Sequence, residues 1–464
     1  MQVTVGNQLR IENPSEQLLA WCKKQLILPN PEYAKKVRMH FWVGNTPEKL
    51  YLFQWDGDTL VLPYGCLNDV LAMDDCHMKV NLPTPIEVDF GCTIPLYDYQ
   101  VEAKEALITA YYGILQAPAG CGKTQIGIAV AADTGRRTLW LTHTRDLLVQ
   151  SKNRAEQYMS PSLTGTITEG RVQIGKAITF ATVQTMCNLD LSQYRDVWDC
   201  IIVDECHRVA GTPTAMTQFS KVLNALAARH KYGLSATVHR ADGMIAATYA
   251  LLGGIAYQVP DEAVKDKIMT VSVLPRAIHQ GLSREFLDTD GTIIYAKLVN
   301  FLADCYPRNN LIVADLVANR DHYNLILSDR LTHLETLMNR LPPDLRKQAV
   351  MIDGKMTTKK AKTLREQAIE EMRQGRKRYL FATYSLAKEG LDIPRLDRLY
   401  LTTPQKDYAV ITQSIGRIAR TFEGKGEPIA YDYVDDGIQY LVRSYKKRCT
   451  TYRKAGCKFI DGEN

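Results

Sequence analysis

The stretch "QAPAGCGKTQ", Gln116 to Gln125, holds the residue types that a phosphate-binding loop needs. Gly120 and Gly122 let backbone N–H groups approach an anion closely, and a helix starting there adds favourable partial charge. Within the loop Ala119, Gly120, Cys121, Gly122, Lys123 and Thr124, Lys123 can reach the β and γ phosphates and the Thr124 hydroxyl can hold Mg2+. Ala117 stands where many such loops begin with glycine, but the glycines nearest the phosphates are in place. A second group lies in "IIVDECHR", where three apolar residues deliver Asp204 and Glu205 to a strand end. Asp204 can hold Mg2+ through water, and Glu205 can orient and deprotonate an attacking water. "IPLYDYQ" places Tyr97 and Gln100 just before a helix, and the Gln100 amide can satisfy both a donor and an acceptor on adenine. Each piece alone has a bland reading, such as a glycine turn, a solvated cap or a surface glutamine.

Positioning these groups takes strands that end where the loops begin. "YYGILQ", "RTLWLTHT", "AITFATV", "DCIIVDE" and "YGLSAT" are short, continuously apolar runs, each ending in small or polar residues. Such runs predict parallel strands covered on both faces, with ligands at their carboxyl ends. The rhythm restarts with "YNLILSD", "QAVMIDG", "RYLFATY", "DRLYLTT" and "EPIAYDYV". The fold class is therefore α/β, with two tandem parallel-sheet domains over 90–260 and 261–464. Residues 1–89 read as a small α+β domain. There Asp56-Gly57 marks a hairpin and "MHFWVG" a further strand. The end, "RSYKKRCTTYRKAG", reads as a basic helix before Gly456. Its tyrosines Tyr440, Tyr445 and Tyr452 either stack on bases or pack on the last domain.

Length and composition set the bounds. A chain of 464 residues exceeds one ordinary core. A formal net charge of +6 permits a polyanionic partner without requiring one. No secretory leader and no membrane-spanning run are visible. The eleven cysteines show no CxxC pair, so structural zinc is not expected, and the thiols read as reduced. A cytoplasmic setting follows, that of the host cell if the chain is phage-encoded.

The motifs "APAGCGKT", "VDECH", "GLSATVHRADG", "FATYSLAKEGLDIP" and "QSIGRIAR" occur in the order found in superfamily 2 helicases and translocases. The sequence resembles the DExH subgroup that holds phage UvsW-like helicases, XPB-like repair helicases and type III restriction subunits. It departs from the usual "SATP" at Val238. The resemblance implies two RecA-like lobes with ATP bound in the cleft between them. Lys123, Thr124, Asp204 and Glu205 come from the first lobe, Arg417 and Arg420 from the second. Arginines spaced i, i+3 in "IGRIAR" lie on one helical face. At the peripheral oxygens of a phosphoryl-transfer transition state an arginine is worth about 10³–10⁵ in rate. Gly390 and Asp392 would form the facing wall. Ser235 and Thr237 of "SAT", with Gln413, would relay the nucleotide state.

The same resemblance supplies a track for nucleic acid. In the first lobe the candidates are Thr142, Thr144, Arg145, Thr168, Thr182 and Gln184. In the second they are Ser328, Arg330, Gly354, Thr383 and Ser385. Hydroxyls, amides and backbone N–H groups contact phosphates without reading bases, which suits a motor indifferent to sequence. The leading expectation is a monomeric ATP-dependent DNA helicase or branch-migrating translocase using ATP and Mg2+, with residues 1–89 at duplex or fork. The alternatives are an RNA helicase, a duplex translocase feeding a nuclease, and a nucleotide-gated scaffold without turnover.

Overall fold

The apolar runs become buried strands. Leu139, Trp140 and Leu141 are fully buried, as are Ile201, Ile202 and Val203, because helices cover both faces of their sheet. The computed structural model describes all residues except 74, 119, 211–212, 237–243, 265–267, 280, 282, 354–358, 389–390, 392 and 461–464. The chain forms two units, Met1–Pro118 with Gly122–Ala263, and Ala119–Cys121 with Val264–Asn464.

The first unit carries an eight-stranded sheet. Its order is Arg171–Gln173, Thr164–Thr168, Ile178–Thr182, Thr138–Thr142, Cys200–Asp204, His230–Ser235, Tyr112–Gln116 and Ile255–Gln258. Every neighbour is parallel except the edge strand Arg171–Gln173, which runs antiparallel to Thr164–Thr168. All five strands expected from the first series of apolar runs are present. Arg171–Gln173, Thr164–Thr168 and Ile255–Gln258 are additions. They are short and polar or half-exposed, so their composition carries no buried-strand signal.

The second unit is built on seven parallel strands. Their order is Ala349–Ile352, Tyr379–Thr383, Asn324–Ser328, Arg398–Leu401, Ile429–Asp435, Ser272–Ile278 and Lys458–Phe459. Ser272–Ile278 contains Pro275 and Arg276, which disguised it in the sequence. The terminal helix, Gln439–Lys454, packs its Tyr452 fully into the core, where the phenol donates to Asp432 Oδ2 at 2.7 Å. Of the two readings for that tyrosine, packing is the one realised. Both sheets are of the RecA-like parallel type.

Residues 2–80 make a separate five-stranded sheet in the order Gln54–Asp56, Thr59–Pro63, Gln8–Glu12, Gln2–Val5 and His77–Val80. The hairpin turns at Gly57, φ +59°, with Asp56 facing Thr59 across it. One face is apolar: Val3, Leu9, Leu60 and Leu62 pack with Leu18 and Cys22 of the helix Glu16–Gln25. The same cluster takes in Tyr112 and Ala250 of the neighbouring α/β sheet layer. Gly65 permits this approach, since a Cβ there would lie 2.4 Å from the Gly253 nitrogen. The "MHFWVG" stretch is not a strand. The helix Pro31–Arg38 runs into it, Met39 N–H and Phe41 N–H bond back to Lys35 and Lys36 carbonyls, and His40 turns to φ +54°. Those local bonds satisfy the backbone that a strand would have needed a partner for.

Candidate ATP and nucleic-acid sites

The phosphate loop leaves the buried strand Tyr112–Gln116 and enters the helix Lys123–Thr134. Gly120 and Gly122 adopt φ +90° and +82°, which side chains other than glycine rarely tolerate. Gly122 caps the helix, and a Cβ on it would lie 2.4 Å from Gln100 Nε2. The loop is thus as tight as an anion cradle requires. Among the described residues Lys123 Nζ donates to the Ala117 and Pro118 carbonyls, and both bonds are long, 3.3 and 3.4 Å. Ala119, expected in the cradle, lies outside the described residues.

Asp204 ends the Cys200–Asp204 strand, one strand removed from the loop's own, with His230–Ser235 between them. It is buried, accepts from Ser151 Oγ at 3.2 Å, and its Oδ1 accepts from Glu205 N–H at 3.0 Å. Burial, then the adjacent Glu205 carboxylate, pushes the Asp204 carboxyl well above the usual carboxylate range, while Lys123 pulls it back. A buried carboxylate beside a second, partly exposed one fits a cation, and Thr124 lies at the start of the helix Lys123–Thr134. Glu205 itself, just past the strand end, sits at φ +49°, a left-handed backbone that costs a residue with a side chain strain.

His207 links two of the motifs. Its Nδ1 lies 3.2 Å from Glu205 Oε2 and 3.0 Å from Ser235 Oγ, so it joins the acidic pair to the first residue of "SAT". Thr237 lies outside the described residues. Neither Ser151 nor His207 was picked out in the sequence. Ser151 carried no local signal, since its partner is distant in the chain. His207 was visible as the histidine of "DECH".

Gln100 is buried at the start of the helix Asp98–Ala110. Its Oε1 accepts from Tyr97 N–H at 3.0 Å and its Nε2 faces Gly122, so the amide braces the phosphate loop from behind. Tyr97 is half-exposed and stacks on Tyr99 at 5.9 Å.

In the second unit Gln413 and Arg417 lie on the helix Tyr408–Ile418. Gln413 is buried, and its Oε1 has no hydrogen-bond partner among the described residues. Arg417 Nη1 donates to the Leu391 carbonyl at 3.2 Å. Arg420 does not share a helical face with Arg417. The helix is capped at Ala419, and Arg420 instead pairs with Ile268 in an antiparallel bridge. Lys425 draws the chain out of the helix by donating to the carbonyls of Ile418, Arg420 and Pro394. Gly390 and Asp392 lie outside the described residues.

The expected track residues converge on one edge of each sheet. Thr142 and Thr182 face each other across paired strands, and Thr168 ends the next strand along. The carboxyl edge of the first sheet is therefore divided. Three adjacent strands present the track candidates, and the next three present Asp204, Ser235 and the phosphate loop. Not all candidates point outward. Thr142 is buried, and its hydroxyl donates to the Thr144 carbonyl at 3.0 Å. Thr182 Oγ1 donates to Thr185 Oγ1, and Thr144 Oγ1 caps Leu147 N–H. Gln184 is exposed and donates to the His143 carbonyl, and Arg145 pairs with Glu169 at 3.3 Å. In the second sheet Ser328 and Thr383 pair in register. Ser328 is buried against His333, whereas Ser385 is exposed with its hydroxyl 2.9 Å from that of Thr383. Arg330 bonds Asn300 Oδ1 at 2.7 Å. Gly354 lies outside the described residues.

The type III restriction enzyme res-subunit family matches residues 93–240, and the helicase conserved C-terminal domain matches 309–422. A protein of Escherichia phage T5 described as a helicase is 26% identical over 75% of this chain and 73% of its own length. A mimivirus protein described as an ATP-dependent RNA helicase is 25% identical over 87% of this chain and 76% of its own. The DNA 3'-5' translocase XPB2 of Sulfurisphaera tokodaii is 24% identical, covering 73% of this chain and 81% of its own. Among solved structures, an HsdR fragment of a type I restriction enzyme from Vibrio vulnificus superposes with TM-score 0.57 at 17% identity, covering 80% of this chain and 70% of its own. Yeast Dbp5 bound to RNA and ADP–BeF3 superposes with TM-score 0.52 at 15% identity, covering 79% and 94%. The chain belongs to superfamily 2 of the helicases and translocases, with phage and XPB-type relatives. It is an ATP-driven, nucleic-acid-binding helicase-type protein. No helix among the described residues is long and apolar enough to cross a membrane.

Proposed function

We propose that the protein couples ATP hydrolysis to movement along DNA, unwinding or branch-migrating forked substrates as a monomer. The observation that carries this reading is the divided carboxyl edge of the first sheet. Groups suited to a triphosphate and groups suited to a sugar–phosphate chain end adjacent strands, and His207 ties Glu205 to Ser235. Mg2+, held through Asp204 and Thr124, would supply charge neutralisation of the β and γ phosphates. Lys123 would pair with the same phosphates. Glu205, aimed by its left-handed turn and steadied by His207, would orient and deprotonate the attacking water. Arg417 and Arg420 would stabilise the charge that develops on the transferred group, and Gly390 and Asp392 would complete that wall. Thr168, Gln184, Ser385 and the backbone at the strand ends would hold phosphates without reading bases. The domain boundaries we propose are 1–89, 90–260 and 261–464, with the first engaging duplex or fork.

The mimivirus relative supports a second reading, movement on RNA. One panel tests both: ATP turnover with single-stranded DNA, duplex, fork, four-way junction and RNA. The DNA reading expects stimulation by fork or junction above RNA. Stimulation by RNA alone would replace it, and zero turnover with all five would leave a scaffold.

A further inference from the structure

The helix Pro31–Arg38 buries none of its residues, and the loop after it carries large apolar side chains into solvent. Trp42 is 87% exposed and Phe41 59%. Their display is built. Phe41 N–H bonds the Lys36 carbonyl, Lys36 Nζ donates to Thr46 Oγ1 at 2.6 Å, and Asn30 Nδ2 donates to the Pro47 carbonyl at 2.7 Å. The Trp42 ring lies over Gly44, where a Cβ would come within 2.8 Å of it. The loop is therefore stapled to its own helix at several points while its aromatic tip stays uncovered.

The surroundings specify an occupant. Over residues 31–51 there are four Lys or Arg against two Glu, and Lys35, Arg38 and Lys49 of this segment are exposed, as are Phe41 and Trp42. Aromatic faces interleaved with cations match a polyanion that also offers flat rings, which is unpaired nucleic acid. The element's other side is anchored. Leu28 packs with Ala210, Met216, Met244 and Ala247, and Leu50 and Leu52 join that cluster. Ala210 lies just beyond the Asp204–His207 turn in the chain.

We propose that Phe41 and Trp42 form a stacking site for unpaired bases, with Lys35, Arg38 and Lys49 holding the flanking phosphates. The site rests on the nucleic-acid motor reading and locates where a strand leaving the duplex is received.

Fluorescence anisotropy on the full chain tests it with three probes: a fork with single-stranded arms, a blunt duplex, and phosphatidylglycerol vesicles. Trp42→Ala and Phe41→Ala/Trp42→Ala should bind the fork about tenfold and up to a hundredfold more weakly, at unchanged melting temperature. Trp42→Phe should restore most of the affinity, since a ring and not an indole is needed. The blunt duplex should bind all forms alike. Equal fork affinity for wild type and both alanine variants would overturn the site while leaving the motor reading in place. Loss of vesicle binding with unchanged fork binding would also overturn it, in favour of a lipid surface. A wild type that binds no nucleic acid, and whose ATP turnover no nucleic acid stimulates, would remove the motor reading and this site with it.

Discussion

In the proposed function Lys123 is the residue on which hydrolysis would turn. Among the described residues its ammonium donates to two carbonyls, both at long distance. Lys123→Ala is expected to lower ATP turnover by a factor on the order of 10²–10³ while strand binding, measured without nucleotide, holds. Equal loss of both would remove the assigned role. His207 acts differently, because it touches both Glu205 and Ser235. In His207→Ala, base pairs opened per ATP hydrolysed should fall about tenfold, more than turnover does. Unchanged opening per ATP would show that the contact transmits nothing. Lys231 supplies a pH dependence of stability. Its ammonium is fully buried, donates to the Asn7 and Leu223 carbonyls, and burial lowers it to about 7. The unfolded chain therefore holds this proton more tightly than the folded one. The resulting penalty is complete below pH 7 and is relieved as pH rises from there toward the ordinary lysine value. Melting temperature should climb over that window in the wild type, and more shallowly in Lys231→Met.

Among the elements, the loop between the Tyr112–Gln116 strand and the Lys123–Thr134 helix was the most legible. Glycine positions report backbone geometry directly, and both φ values are of the kind glycine permits. Gly122→Ala should fail in two ways at once, by strain at φ +82° and by collision with Gln100 Nε2. An ATP analogue should bind at least about tenfold more weakly, the equivalent of about 1.4 kcal/mol, in a calorimetric titration. The arginine helix was read less well. Spacing put Arg417 and Arg420 on one face, but the Lys425 ammonium takes the Ile418 and Arg420 carbonyls and ends the helix between them. A contact made from beyond the helix leaves no trace in its own periodicity. The "MHFWVG" run failed for a related reason: β-prone composition lost to hydrogen bonds from the preceding helix.

At the scale of the whole molecule, the small amino-terminal sheet and the first α/β sheet share apolar packing. Tyr64 donates to the Arg229 carbonyl, and Tyr112 and Ala250 complete the small sheet's cluster. Removing residues 1–89 to test fork binding would therefore uncover core. The truncated chain should melt well below the full one, and Leu62→Ala alone should cost about 2–5 kcal/mol in denaturant unfolding. A truncation as stable as the parent would show that the shared packing contributes little. The sequence by itself determined the α/β class and most of the buried parallel strands, and it singled out the candidate phosphate loop and acidic pair. These follow from composition and spacing within a few neighbouring residues. Only the tertiary structure decided that Ser151 would hold Asp204, that His207 would reach Ser235, and that the track candidates would gather at one edge of each sheet, with Thr142 and Ser328 buried. Those facts depend on which strands lie side by side, and strand order is set by long-range packing that no local stretch encodes.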